Sequence, residues 1–240
     1  MDDLDYGARG KIGLIVPSTT WIMEPEFNYM VPKGVIVQTT RVAIGAGTVE
    51  GYKKMVLGVK DCAKLLSSIP TDINILGCTS GSFVNGNAFD KSLCEDIYKA
   101  TGVPFTTTST SLVKALKSYD AKKICIMTPY TKDVNELAAA YFSENGIEVI
   151  NDIGLGLQWD KEMNAIPLEQ IYQYACKVDR PEADAVAILC TGLRTVPIID
   201  YAERALGKPV VSAIQSSMWN VLRSIHITDP VPNAGSLMLK

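Results

Sequence analysis

The sequence predicts an α/β protein made of two pseudo-symmetric halves, each with its own parallel sheet, and a ligand cleft between them. Three observations carry this. Strand-like apolar runs alternate with helix-like stretches along the chain, the pattern of layers packed around parallel sheets. Two different strand-and-turn motifs recur at one interval: Cys190 follows Cys78 by 112 positions (190 − 78 = 112), and Pro129 follows Pro17 by the same 112 (129 − 17 = 112). Each copy also ends in small and hydroxyl residues, and ligands gather at the carboxyl ends of parallel strands. The duplication divides the chain into residues 1–117, completed by 217–240, and residues 118–216.

Residues 11–16 are a near-continuous apolar run and read as a buried parallel strand. The run ends at Pro17-Ser18-Thr19-Thr20. Residues 21–32 read as irregular, and their Trp21, Phe27, Tyr29 and Met30 make a segment apolar enough to cover the cleft or a partner subunit. Residues 34–42 read as strand, and 49–69 as one helix with Tyr52, Met55, Val56, Val59, Cys62, Ala63 and Leu66 on one side. A strand from Ile73 then stops at Gly77-Cys78-Thr79-Ser80-Gly81-Ser82. A short helix over 92–100, a strand over 104–109 and a helix over 111–117 complete this half.

The second half repeats the order. Residues 123–127 are strand, Thr128-Pro129-Tyr130-Thr131 is turn, 134–145 is helix closed by Gly146, and 147–153 is strand. Helix over 168–178, strand over 185–189, helix over 198–206, strand over 210–213 and helix over 217–225 follow. Gly102-Val-Pro104 finds a looser echo in Gly207-Lys-Pro209, 105 positions later (207 − 102 = 105), so loop lengths differ between the copies.

At 240 residues and 47% apolar content the chain can bury a real core. Net charge is −3 with no basic stretch interleaved with aromatics, so nucleic acid is not an expected partner. The apolar runs fall far short of the ~20 residues a bilayer span needs. Met1-Asp-Asp-Leu-Asp5 lacks a signal peptide's basic and apolar regions, so a cytoplasmic location is expected. The six cysteines include no CxxC pair and the chain has one histidine, His226. No metal site is expected from that spacing. His226 lies in an apolar Ser-Ile-His-Ile-Thr stretch and reads as structural.

A strand that stops at a small, hydroxyl-rich turn before a helix aims several backbone N–H groups at one point, which suits an anion and favours a thiol as thiolate. Cys78 and Cys190 hold that position; Asp72 and Asp184 each precede them by six residues. Cys62, Cys94, Cys125 and Cys176 fall inside helix or strand patterns and read as small core residues. Ser18, Thr19 and Thr20 either cap the following segment or meet a ligand. Glu24 and Glu26 read as structural or exposed, Arg41 and Arg194 as solvated.

Val16-Pro-Ser with Glu24-Pro-Glu-Phe, Gly-Cys78-Thr-Ser, Thr128-Pro-Tyr130-Thr with Val134-Asn-Glu136, and Cys190-Thr-Gly192 together resemble the Asp/Glu racemase superfamily. Within it the chain is most similar to the branch holding maleate cis-trans isomerase and arylmalonate decarboxylase, over about residues 11–225. The resemblance implies Rossmann-like halves, an active site between them, no metal or organic cofactor, and a homodimer or higher homo-oligomer acting on a small mono- or dicarboxylate. It makes Cys78 and Cys190 the catalytic pair; maleate isomerases carry both, whereas arylmalonate decarboxylases have glycine at the first position. It assigns substrate contacts to Pro17, Ser18 and Thr19, to Thr79 and Ser80, to Tyr130, and to Thr191 and Gly192. The family's first-turn asparagine is missing, with Thr19 or Thr20 in its place, and for a second asparagine Asp160 and Asn164 are the nearest candidates. The expected activity is cis-trans isomerisation through thiolate addition. Alternatives are an amino-acid racemase, an arylmalonate-type decarboxylase and a non-catalytic carboxylate-binding module.

Overall fold

Apolar strands wedged between amphipathic helices build two separate sheets, and the computed structural model describes residues 6–240 of them. The acidic Met1 to Asp5 stretch lies outside the described residues. The first half runs β1 (Gly10–Pro17), α1 (Met23–Met30), β2 (Val35–Val42), α2 (Val49–Val56), α3 (Val59–Leu66), β3 (Ile73–Leu76), α4 (Thr79–Phe83), α5 (Gly86–Thr101), β4 (Phe105–Thr107) and α6 (Thr108–Lys117). The second runs β5 (Lys123–Thr128), α7 (Lys132–Glu144), β6 (Glu148–Gly154), α8 (Asp160–Ala165), α9 (Leu168–Val178), β7 (Ala185–Ile188), α10 (Val196–Leu206), β8 (Val210–Ser212) and α11 (Ala213–Ser224), with a closing 3-10 turn, Ser236–Leu239. Strand orders are β2-β1-β3-β4 and β6-β5-β7-β8, every pairing parallel. The two sheets therefore share one topology, and each cysteine follows the third strand of its sheet.

The repetition reaches single hydrogen bonds. Lys11 N donates to Asp72 Oδ2 at 2.7 Å and Asp72 N to Lys11 O at 2.8 Å; Lys123 N donates to Asp184 Oδ2 at 2.8 Å and Asp184 N to Lys123 O at 2.8 Å. These clamps set where the cysteine-bearing strands begin, and hence where they end. Helices α5 and α10 both stop at a left-handed glycine, Gly102 and Gly207, with φ of 71° and 66°.

The last helices tie the halves together. Ile214, Met218 and Val221 of α11 pack with Ile12, Leu14 and Ile75 of the first sheet, while Leu112 and Leu116 of α6 share a core with Ile124 and Ile126 of the second. Asn220 of α11 donates through Nδ2 to Ser111 Oγ at 2.9 Å and Thr106 Oγ1 at 3.1 Å, pinning it to the α6 side.

Several elements differ from the sequence expectation. Residues 21–32 are not irregular: α1 buries Met23, Glu26, Phe27 and Met30, one stripe at helical spacing. Pro25 hides the signal, yet proline is tolerated in a helix's first turn, where its missing N–H has no partner to lose. This segment seals the core under the first sheet rather than the cleft, and Trp21 and Tyr29 are its exposed aromatics. The helix expected over 49–69 breaks at Leu57-Gly58, glycine being a poor helix former. The strand expected over 104–109 ends at Thr107, whose hydroxyl accepts from Thr110 N and starts α6 early. Ser212 starts α11 early in the same way, with Gln215 completing a capping box. Helix α8 was not expected, and it bears directly on the site.

Candidate active site

The two cysteine turns are held from below by the strand clamps and laterally by hydroxyls. Gly77 N donates to Ile15 O at 2.7 Å, after which Cys78 takes an extended conformation (φ −146°, ψ 112°) ahead of α4. Ser82 Oγ donates to Cys78 O at 2.9 Å and Ser109 Oγ to Thr79 O at 3.0 Å, so both carbonyls of the turn are tied away from the cleft. A Cβ at Gly81 would push on the terminal methyl of Met55 and crowd Cys78 Sγ. In the other half Leu189 N donates to Met127 O at 2.9 Å, and Cys190 then adopts a φ of 92°. Left-handed backbone at a non-glycine residue is strained and clusters at functional sites. Gly192 N donates to Cys190 Sγ at 3.3 Å, and Thr191 Oγ1 crosses to the other half to donate to Gly77 O at 3.0 Å.

Between the turns lies one cavity, lined by Pro17, Thr20, Ile44, Tyr52, Cys78, Thr79, Ser80, Tyr130, Asp160, Cys190 and Thr191. Its volume is about 10 Å³, room for roughly one water molecule. Tyr130 is positioned by its own N–H, which donates to Thr128 Oγ1 at 3.1 Å, and by an edge-on contact with Phe83 at 6.2 Å between ring centroids. Thr79 approaches the Tyr130 hydroxyl closely enough to favour its ionised form, yet without normal hydrogen-bond geometry, so Thr79 Oγ1 stays buried and unpartnered.

Lysine, arginine and histidine are absent from this lining. Burial pushes the Cys78 thiol up to about 12, with the Asp160 charge adding to it and the Gly81 N–H and Ser80 hydroxyl opposing. Burial also pushes Cys190 to about 12, with Asp160 and Cys78 adding, and the Gly192 N–H and Tyr130 opposing. Tyr52 and Tyr130 are likewise held well above their ordinary values by burial and by the two cysteines. This corrects the expectation that the turns favour thiolates: in the closed cavity loss of hydration outweighs the nearby N–H groups. Both thiols are therefore neutral at rest.

Asp160 stands between this inner cavity and an outer groove of about 540 Å³ lined by Thr19, Trp21, Ile44, Gly45, Trp159, Asp160, Lys161 and Asn164. Residues 158–164 form a strap from the second half over the first. Gly47 N donates to Gln158 O at 2.8 Å, Thr19 Oγ1 to Asp160 Oδ2, Thr20 Oγ1 to the same oxygen at 3.4 Å, and Asn164 Nδ2 to Thr19 O at 3.4 Å.

Of the residues singled out in the sequence, Pro17, Cys78, Thr79, Ser80, Tyr130, Cys190 and Thr191 line the cavity together. Thr19 lines the outer groove, and Ser18 turns outward, its Oγ accepting from Ile44 N at 3.3 Å. Gly192 acts on Cys190 Sγ rather than on the cavity. His226 is exposed and lines neither space. Arg41 is exposed, as expected, yet its Nη1 braces the first turn by donating to Thr20 O at 2.7 Å; Arg194 is half-buried, its Nη2 donating to Ile166 O at 2.7 Å. Thr20, Tyr52, Ile44 and Asp160 complete the cavity. Tyr52 sits in an apolar helical stripe that spacing alone assigns to the core. Among the described residues no three His, Cys, Asp or Glu side chains could hold a metal ion together.

The family model described as arylmalonate decarboxylase matches residues 12–238. The arylmalonate decarboxylase of Bordetella bronchiseptica is 29% identical, with 92% of each chain covered. The maleate isomerase of Geobacillus stearothermophilus is 27% identical over 95% of this chain and 96% of its own. Among solved structures, a cysteine mutant of Nocardia farcinica maleate cis-trans isomerase with a covalently bound succinylcysteine intermediate superimposes with a TM-score of 0.89, at 26% identity and coverage of 95% and 98%.

Proposed function

This chain belongs to the arylmalonate decarboxylase family, and on that premise we propose that it is a cofactor-independent two-cysteine isomerase of a small cis-enoic acid, acting as maleate cis-trans isomerases do. The observation that carries the reading is that Cys78 and Cys190, from two copies of one motif, line a single cavity with hydroxyl donors around them. A cysteine adduct with a succinyl group in the Nocardia enzyme supports the same chemistry.

Cys78 Sγ, as thiolate, bonds to one olefinic carbon, and the π electrons move onto the neighbouring carbon and its carboxylate. Cys190 Sγ–H protonates that carbon. The former double bond is now single and rotates. The Cys190 thiolate removes the proton again, the double bond re-forms trans, and the Cys78 thiolate leaves. Thiolates suit this role because they are soft nucleophiles and good leaving groups. Tyr130, Thr79 and Ser80 donate to the carboxylate on which charge builds, each well-aimed donor contributing roughly 2.7–4 kcal/mol.

A four-carbon acid does not fit about 10 Å³, so the strap over 158–164 lifts for binding. Opening also admits water, which lets a thiol ionise before the cavity recloses over the anionic substrate. Proton NMR of a panel of small cis-enoic acids tests the activity through loss of cis and gain of trans vinyl signals. Turnover unchanged in both Cys78→Ala and Cys190→Ala would end the proposal.

A further inference from the structure

We propose that Asp160 makes this cavity select an acid with one carboxylate and, at its other end, a hydrogen-bond donor such as a carboxamide, in place of a second carboxylate. The inference deepens the isomerase reading above and rests on it.

Asp160 is the one carboxylate in the inner lining, and no lysine, arginine or histidine shares that lining. No ion pair among the described residues reaches it. Its hydrogen bonds are one-sided: Thr19 and Thr20 both donate to Oδ2, and Oδ1 accepts from no described residue. Asp160 thus keeps an acceptor oxygen without a protein partner while lining the cavity that holds both cysteines. That its charge reaches Cys78, Cys190 and Tyr52 places it within electrostatic range of the chemistry.

The donors sit elsewhere in the cavity. Thr79 Oγ1 is buried and unpartnered, Ser80 Oγ lies 3.9 Å from Cys78 Sγ, and the Tyr130 hydroxyl is close to both turns. They suffice for one carboxylate. A cis-dicarboxylate bound there would press its second carboxylate against Asp160 with no cation between them, and like charges brought together in an interface cost several kcal/mol. A carboxamide of the same shape offers an N–H to Oδ1 instead.

The test compares maleamate, the cis monoamide, with maleate by NMR, and their saturated counterparts succinamate and succinate by calorimetry. The expected result is kcat/KM for maleamate about 100-fold above that for maleate, with succinamate binding tighter than succinate by a similar factor. Asp160→Asn keeps an oxygen for Thr19 and Thr20 to donate to, so the strap survives, but it turns the open acceptor into a donor; the preference then reverses toward the dicarboxylates. Equal or better turnover of maleate by the wild-type protein, or an unchanged ratio in Asp160→Asn, overturns the inference and leaves the isomerase reading standing. Tighter succinamate binding that depends on Asp160, with neither enoate isomerised, upholds the selectivity and defeats the isomerase reading. No binding of either saturated acid overturns the inference.

Discussion

The turns that carry Cys78 and Cys190 end equivalent strands of two sheets with one topology and differ in what surrounds the sulfur. Cys78 sits on relaxed extended backbone at the start of a helix, its turn tied down by Ser82 and Ser109 within its own half. Cys190 sits at a φ of 92° with Gly192 N–H donated to its sulfur, and its turn is braced from the opposite half. Thr191 reaches back to Gly77, and Glu26 of α1 accepts from Thr195 N at 2.7 Å and Val196 N at 3.2 Å just beyond the turn. Like clamps at Asp72 and Asp184 deliver the two sulfurs to one place; under the proposed function, unequal braces fit them to different duties. A relaxed turn backed by a helix suits the thiol that bonds to carbon, and a strained turn held across the cleft suits the thiol that exchanges a proton.

The sharpest way to break that comparison is to remove each sulfur. Cys78→Ala and Cys190→Ala should each lower kcat by about 10³-fold or more. Mass spectrometry of substrate-treated protein should find an adduct on Cys78 in Cys190→Ala and none in Cys78→Ala. The reverse pattern would exchange the two roles. Because burial raises both thiols to about 12, kcat/KM should climb as pH rises from 6 to 9, with no plateau in that range. A plateau already reached at pH 7 would mean that binding, not ionisation, limits the thiolate.

The brace on the second turn is pH-sensitive where the first turn has nothing similar. Burial raises Glu26 to about 7 from an ordinary 4.5, against the donated N–H groups of Thr195 and Val196 and the Arg194 charge. The folded protein thus holds this proton more tightly than the unfolded chain. The associated stability, roughly 3 kcal/mol, is fully present below about pH 4.5 and lost as pH rises through about 7. Thermal melts should show this fall, and Glu26→Gln should flatten it. Thr191→Val leaves Gly77 O without its partner and should cost about 1–2 kcal/mol, measured by urea unfolding. The smallest effect concerns a helix cap: Ser212→Ala, which dismantles a full capping box, should cost about 1 kcal/mol in the same unfolding measurement.

Much of this was legible in the chain. The 112-residue interval located both cysteine turns, and the paired clamps show why it could: an aspartate six residues ahead of each cysteine fixes strand length, so sequence spacing becomes spatial position. Helix α1 escaped because it is only two turns long and carries Pro25. Tyr52 escaped because a tyrosine in an apolar stripe looks the same whether its ring tip ends in core or in a cleft. Asp160 could be named only as a neighbour of the site, since a lone aspartate outside a strand or helix pattern has no period to place it.

The residue order alone was enough for the two-sheet fold, the ends of the cysteine-bearing strands and the cysteine pair, because hydrophobic periodicity and a repeated motif are local properties that repetition makes doubly readable. Tertiary structure alone decided that both thiols rest neutral, that the strap over 158–164 closes the cleft, and that a carboxylate stands in its mouth. Charge state and closure depend on what one half places against the other, and desolvation has no signature in the order of residues along either.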